Sequence, residues 1–199
     1  MNRRELLKLS SLLLGTAACS SVSRAIMAGV ITNPETMNKV FSDPQKATVN
    51  LLSEMIIPTT DTPGAITAGV PDFIATIVGD WYNETEREIF FNGLKSLDQH
   101  CLAAEDKVFH LAGDATRKSA LDAEMAAARE YKATPSGSIH PMAKQDDSYT
   151  PFFTKLKELV VLGYYTSETG AKQELIYLPM PGYYDGEFEF AKVGRQWIS

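Results

Sequence analysis

The chain has 199 residues, a formal net charge of −6 and a pI near 5.1. That acidity argues against a nucleic-acid partner. Two cysteines are too few for a disulfide framework or a four-cysteine cluster, and their positions, Cys19 and Cys101, make neither a CxxC pair nor a CxxCH haem site.

The chain begins Met1-Asn2-Arg3-Arg4-Glu5-Leu6-Leu7-Lys8, then an apolar run to Leu14, then Gly15-Thr16-Ala17-Ala18-Cys19. A basic start, a short apolar middle and small residues at the end form a bacterial export signal. The apolar run falls far short of the ~20 residues that a spanning helix needs. The segment resembles the twin-arginine signal, which carries folded proteins: Arg3, Arg4, Leu7 and Lys8 match it, while Asn2 and Leu6 replace its usual hydroxyl residue and Phe. Two processing routes stay open. Cys19 is a lipidation site if Thr16-Ala17-Ala18 acts as a lipoprotein box; otherwise cleavage falls after Ala18, Ala25 or Ala28. Residues 1–28 are read as the signal and 29–199 as one domain, and about 170 to 180 residues suffice for a real core. The destination is the periplasm, with a membrane lipid anchor if Cys19 is modified.

The domain reads as mainly α, with about five helices. Ser42-Asp43-Pro44 is a start signal, with cap residues followed by proline in the first turn. Leu51, Leu52, Met55 and Ile56 form its apolar face, and Pro58 ends it. PTTDTPGAITAGVPD, residues 58–72, is a turn-rich loop with three prolines. Pro71 opens a second helix with Phe73, Ile74, Ile77, Val78 and Trp81 at helical spacing. Asn83 and Glu86 form a capping box for a third, whose Phe90, Leu94, Leu97 and Cys101 make one stripe. Asp114 caps a fourth, alanine-rich helix to about Tyr131. Residues 134–148 are loop. Thr150-Pro151 start a fifth, with Phe152, Phe153, Leu156, Leu159 and Val160 turned inward.

From Tyr164 to Ser199 the texture changes to an extended, Gly- and Pro-punctuated tail. It holds eight of the chain's nineteen aromatic residues: Tyr164, Tyr165, Tyr177, Tyr183, Tyr184, Phe188, Phe190 and Trp197. Such a tail must lie on its own helices or on a partner. Tyr and Trp are enriched at interface anchor points.

Residues able to carry chemistry are sparse. No GxGxxG follows a strand, and Val70 stands where a phosphate loop needs lysine. His100, His110 and His140 are the candidates for a three-histidine metal site, but three solvent-side histidines are the better reading. Cys101 lies beside His100, yet neighbours on a helix point about 100° apart, and a thiol on an apolar stripe is usually inert. No GxSxG elbow occurs. A folded-export signal without a cofactor site suggests that the chain folds around a partner that carries the cofactor.

Two stretches bear a family resemblance. One is LLSEMIIPTTDTPGAITAGVPDFIATIVGDWY, residues 51–82; the other is FFTKLKELVVLGYYTSETGAKQELIYLPMPGYYDG, residues 152–186. They resemble the small third subunit of gluconate 2-dehydrogenase and of related flavin-dependent sugar and polyol dehydrogenases; residues 92–149 resemble it only loosely. The resemblance implies a non-catalytic, chaperone-like subunit in a heteromeric oxidoreductase. FAD would sit in a large partner of the glucose–methanol–choline type and haem c in a cytochrome c subunit. The small subunit would help the large one mature and leave through the twin-arginine translocase. The family supplies no catalytic residues. Its habit of a covalent link makes Cys101 the candidate for an interchain disulfide, against plain burial on its stripe. Pro63, Gly64, Tyr164, Tyr165, Tyr183, Tyr184 and Trp197 are the candidate partner contacts. The alternatives are a stand-alone envelope lipoprotein or binding protein and a histidine-based metalloenzyme.

Overall fold

Two polar caps set where the first long helices begin. In α1, Asp43–Ile56, Gln45 Oε1 accepts from both the Ser42 N–H and the Ser42 hydroxyl at 2.9 Å, and proline stands in the first turn. In α3, Glu84–Glu105, Asn83 Oδ1 accepts from the Glu86 N–H at 2.9 Å while Glu86 Oε2 accepts from the Asn83 N–H at 3.0 Å. Each box satisfies N–H groups that the first turn would otherwise leave bare. The structure, a computed structural model, describes residues 39–131, 149–177 and, beyond them, 182, 187, 189, 192 and 194–198. The signal segment with Arg3, Arg4, Leu7, Lys8 and Cys19 lies outside the described residues, as do His140, Tyr183 and Tyr184.

The fold is mainly α. Between α1 and α3 stands α2, Val70–Thr76, entered through Gly69 at φ +74°, a left-handed backbone that suits glycine. A π turn, Ile77–Trp81, prolongs α2, with the Tyr82 N–H reaching back to the Ile77 carbonyl at 2.9 Å. That wide turn frees carbonyls, and Arg87 collects two of them: Nε on Val78 O at 3.1 Å and Nη2 on Gly79 O at 2.8 Å. α3 stops at Asp106, itself left-handed at φ 54°.

α4, Asp114–Glu130, is capped by Gly113 rather than by Asp114, which is the first helical residue and pairs with Arg117. The bare first turn of α4 is met from outside. Glu105, at the end of α3, accepts from the Gly113 N–H at 3.0 Å and from the Thr116 hydroxyl. These hydrogen bonds, Thr116 first and Gly113 second, hold its carboxyl below the usual range.

α5, Phe152–Thr166, packs against α2, α3 and α4 and closes the core. Its stripe of Phe152, Leu156, Leu159, Val160, Gly163 and Tyr164 is buried, while Phe153 is half-buried. Glycines allow two close crossings. A Cβ on Gly93 of α3 would stand 2.0 Å from Phe152 Cγ, and one on Gly163 would stand 2.7 Å from the Phe73 ring. Phe152 thus reaches Phe90 edge-on at 5.3 Å between centroids, and Phe90 in turn meets Phe41 and Tyr82. On α1 the buried face is Thr48, Val49, Leu52 and Ser53, with Met55 exposed. The buried face is therefore rotated about the helix axis from the one read from Leu51, Leu52, Met55 and Ile56, with Leu51 and Ile56 packed at its edge. The Ser53 hydroxyl is satisfied by the Val49 carbonyl at 2.8 Å.

The helical region runs further than the sequence texture suggests. Tyr164 belongs to α5, and a second π turn, Gly170–Glu174, follows it. The extended part therefore starts at Leu175, because the 152–164 stripe outlasts the first Gly-Tyr-Tyr signal. Two residues of β1, Ile176–Tyr177, pair in parallel with β2, Trp197–Ile198, with the Ile176 N–H on the Gln196 carbonyl at 2.9 Å. Arg195 Nη1 adds a bond to the Gln173 carbonyl at 2.5 Å. The chain's end thus returns to the end of α5.

One charged pair sits inside this apolar packing. Lys155 Nζ lies 3.2 Å from Glu86 Oε1, with side chains 4% and 5% exposed, and 5.1 Å from the centre of the Tyr82 ring. Removing one partner of a buried pair strands the other charge, at about 3–5 kcal/mol. Lys155→Ala is expected to lose that much stability in urea unfolding. Glu86→Gln combined with Lys155→Met is expected to recover most of it, since glutamine preserves the capping box. Gly93→Ala sets two effects against each other. Better helix propensity contributes about 1 kcal/mol, while overpacking against Phe152 costs about 1–3 kcal/mol or more. At 2.0 Å the clash wins, so the melting temperature should fall, and Phe152→Leu in the same chain should restore part of it.

Candidate functional site

The loop between α1 and α2 is ordered by one carboxylate. Glu54, in the last turn of α1, accepts from the Thr59 N–H at 2.7 Å and the Thr59 hydroxyl at 2.6 Å through Oε1, and from the Ile66 N–H at 3.3 Å through Oε2. Pro58 stops the helix, so the chain turns back over its own last turn and brings these donors within reach. The Thr59 hydroxyl oxygen accepts from the Gly64 N–H at 3.1 Å, and the Ala65 N–H donates to the Ile57 carbonyl at 3.0 Å. Gly64 is buried, and a Cβ there would come 2.3 Å from Glu54 Oε1. Burial alone would raise the Glu54 carboxyl, but the Thr59 hydroxyl and N–H and the Ile66 N–H outweigh it and hold it below the usual range.

A second staple comes from α5. The Tyr164 hydroxyl donates to the Pro63 carbonyl at 2.7 Å, joining residues 101 apart in sequence. Tyr164 is 1% exposed, and burial pushes its hydroxyl pKa up, partly offset by a Thr62 hydrogen bond and reinforced by Glu174, Tyr165 and Glu54. The outer side of the loop remains open, with Pro58, Thr59, Thr60, Asp61, Ile66 and Thr67 exposed.

The candidate contacts therefore divide. Pro63, Gly64 and Tyr164 meet one another inside the chain: Gly64 and Tyr164 are buried and Pro63 is half-buried. All three join loop and helix, and the burial of Gly64 and Tyr164 corrects the expectation that these two face a partner directly. Tyr165 is exposed and stands edge-on to Tyr164 at 5.3 Å. Trp197 takes part in the β1–β2 ladder through its backbone. Val161, Ile176 and Tyr177 are further exposed apolar residues at this end of the chain.

Cys101 is fully buried on the α3 stripe. Burial, then the Asp98 and Glu105 carboxylates, push its thiol pKa up, with Arg117 opposing. His100 and His110 are both half-buried rather than solvent-side; His100 Nε2 lies 3.3 Å from the Ser119 hydroxyl. Among the described residues no group of three His, Cys, Asp or Glu side chains is placed to hold a metal. No described helix is long and apolar enough to cross a membrane.

Two structural groupings have little signature in the local sequence. Glu54 carried no motif, and only its place one turn before Ile-Pro-Thr-Thr hinted at a carboxylate facing backbone donors. Lys155 was more legible, since it stands three residues after Phe152 and four before Leu159, on the buried stripe. Glu86 likewise precedes Phe90 by four. A thiol buried this way should react with a thiol reagent only after denaturant is added. A non-reducing gel of the native assembly should look the same for Cys101→Ser as for the wild type.

The family model for gluconate 2-dehydrogenase subunit 3 matches residues 43–182, from the first turn of α1 to beyond β1. No curated protein and no solved structure matches the chain. The match takes in the Glu54-ordered loop, the Glu86–Lys155 pair and the whole of α5. The chain belongs to the gluconate 2-dehydrogenase subunit 3 family.

Proposed function

We propose that this chain is the non-catalytic small subunit of a periplasmic, FAD-dependent dehydrogenase of the glucose–methanol–choline type, acting on sugars or glycosides. It assists the maturation of the catalytic flavoprotein and its export by the twin-arginine translocase. The observation that carries this reading is the family match over residues 43–182, since the family's name is that of one subunit of a larger dehydrogenase. The start of the chain supports the export role, with Arg3-Arg4 and Leu7-Lys8 ahead of a short apolar run.

The chemistry of a flavoprotein makes shared export useful. FAD binds a folded pocket, so the catalytic subunit must fold around it before crossing, and a signal on a tightly bound small subunit serves both chains. FAD belongs to the large subunit, and a cytochrome c subunit with haem c takes the electrons. The small subunit contributes binding surface: the open side of the 57–69 loop, Tyr165, and the tail with Tyr183, Tyr184 and Trp197. Loops braced in advance lose little entropy on binding.

A tagged pull-down from the native envelope tests the reading. The expected eluate holds a large flavoprotein at equal stoichiometry and shows flavin absorbance. Replacing Arg3 and Arg4 by lysine is expected to leave both chains in the cytoplasm. A lone, colourless chain in the eluate would overturn the proposal.

A further inference from the structure

We propose that the 57–69 loop is an acid-released latch: protonation of Glu54 frees the loop from the end of α1 while the helical core stays folded. The geometry is that of one titratable group holding two distant backbone points. Glu54 gathers the Thr59 N–H, the Thr59 hydroxyl and the Ile66 N–H, and these span most of the loop. Gly64 is folded tightly over the same carboxylate, where a Cβ would overlap Oε1. All three bonds run from donor to carboxylate, so the added proton turns an acceptor into a competing donor at the crowded centre.

The surroundings fit a release at low pH. The groups acting on the Glu54 carboxyl are hydrogen-bond donors rather than cations. From α5, Tyr164 faces the loop with its hydroxyl on Pro63, and Glu174, from the π turn beyond α5, acts on Tyr164. Within the loop, Asp61 accepts from the Thr60 hydroxyl at 3.0 Å. Glu54 in the folded chain titrates below its ordinary value of 4.5. Its stabilising contribution is thus whole at neutral pH and is lost as pH falls below that value, through the lower folded one. The core carries no such dependence on Glu54. Leu97, Phe90 and Leu156 are buried in the core, which has a carboxylate of its own in Glu86, so the loop is read against Leu97; Tyr164 keeps its own bond to the loop. The latch stands independently of whether the loop meets a partner subunit.

Amide hydrogen exchange on the full chain, corrected for intrinsic rates, reads the latch directly. In the wild type, protection at Thr59 and Ile66 relative to Leu97 should fall about tenfold between pH 7 and a pH well below 4.5, because hydrogen bonds to a charged group are the strong ones. Glu54→Gln should show the lowered loop protection already at pH 7, with Leu97 unchanged and no further fall in acid. Tyr164→Phe should lower loop protection while keeping the acid-dependent step. Two results would overturn the proposal: a wild-type loop whose protection follows the core at every pH, or the same acid step persisting in Glu54→Gln. Should Glu54→Gln not fold, the wild-type series against Leu97 still decides.

Discussion

A buried ion pair governs how α5 lies on the rest of the molecule. Lys155 and Glu86 meet at 3.2 Å where both side chains are nearly withdrawn from water. Neither charge tolerates burial alone, so any slip of α5 along α3 that parts them is penalised by the desolvation of both. Glu86 also completes the capping box with Asn83 at the start of α3, which ties the register of α5 to the point where α3 begins. The close crossings at Gly93 and Gly163 act in the same direction, because each admits one aromatic ring at one height only. Charge and shape thus select the same placement.

Everything at the far end of α5 inherits that placement. Tyr164 lies nine residues beyond Lys155, two and a half turns along the same helix, and its hydroxyl reaches the Pro63 carbonyl. The 57–69 loop is therefore fixed from two sides, by Glu54 at the end of α1 and by Tyr164 on α5. The β1–β2 ladder brings the chain's end to this region as well. The helical core thus holds the loop from α1 and α5 at once, and the β1–β2 ladder lies just beyond α5. This explains why residues that look like surface anchors, Gly64 and Tyr164, are buried. They shape the loop from within, and Pro58 to Asp61, Ile66 and Thr67 stay on its exposed side.

The chain's polar chemistry is largely spent on helix ends. Arg87 collects the carbonyls freed by the π turn, Glu105 caps α4 from the end of α3, and Asp98 receives the Phe109 N–H at 2.9 Å. Each of these gives a hydrogen-bond partner to a backbone group that its own helix or turn leaves without one. Cys101 is held deep in the stripe, where its raised pKa disfavours the reactive thiolate.

By itself the sequence determined the local features. Caps at Ser42 and Asn83, the Pro58 stop, and the stripe through Phe90, Leu94, Leu97 and Cys101 are legible because short-range hydrogen bonding and helical periodicity decide them. The family resemblance in residues 51–82 and 152–186 is legible too, and the matched region contains all of the first stretch and most of the second. What spacing alone left undecided was long-range. The partner of Glu86 lies 69 residues away and the partner of Tyr164 lies 101 away, so no local pattern names them. The end of α5 was misplaced for the same reason. Tyr164 sits in a Gly- and Tyr-rich stretch that looks irregular, and its packing in the core carries the helix on to Thr166. Glu54 resembles any surface carboxylate until the chain folds back over it. Only tertiary structure decides such contacts, since they arise from which faces meet, and that depends on the whole core packing at once.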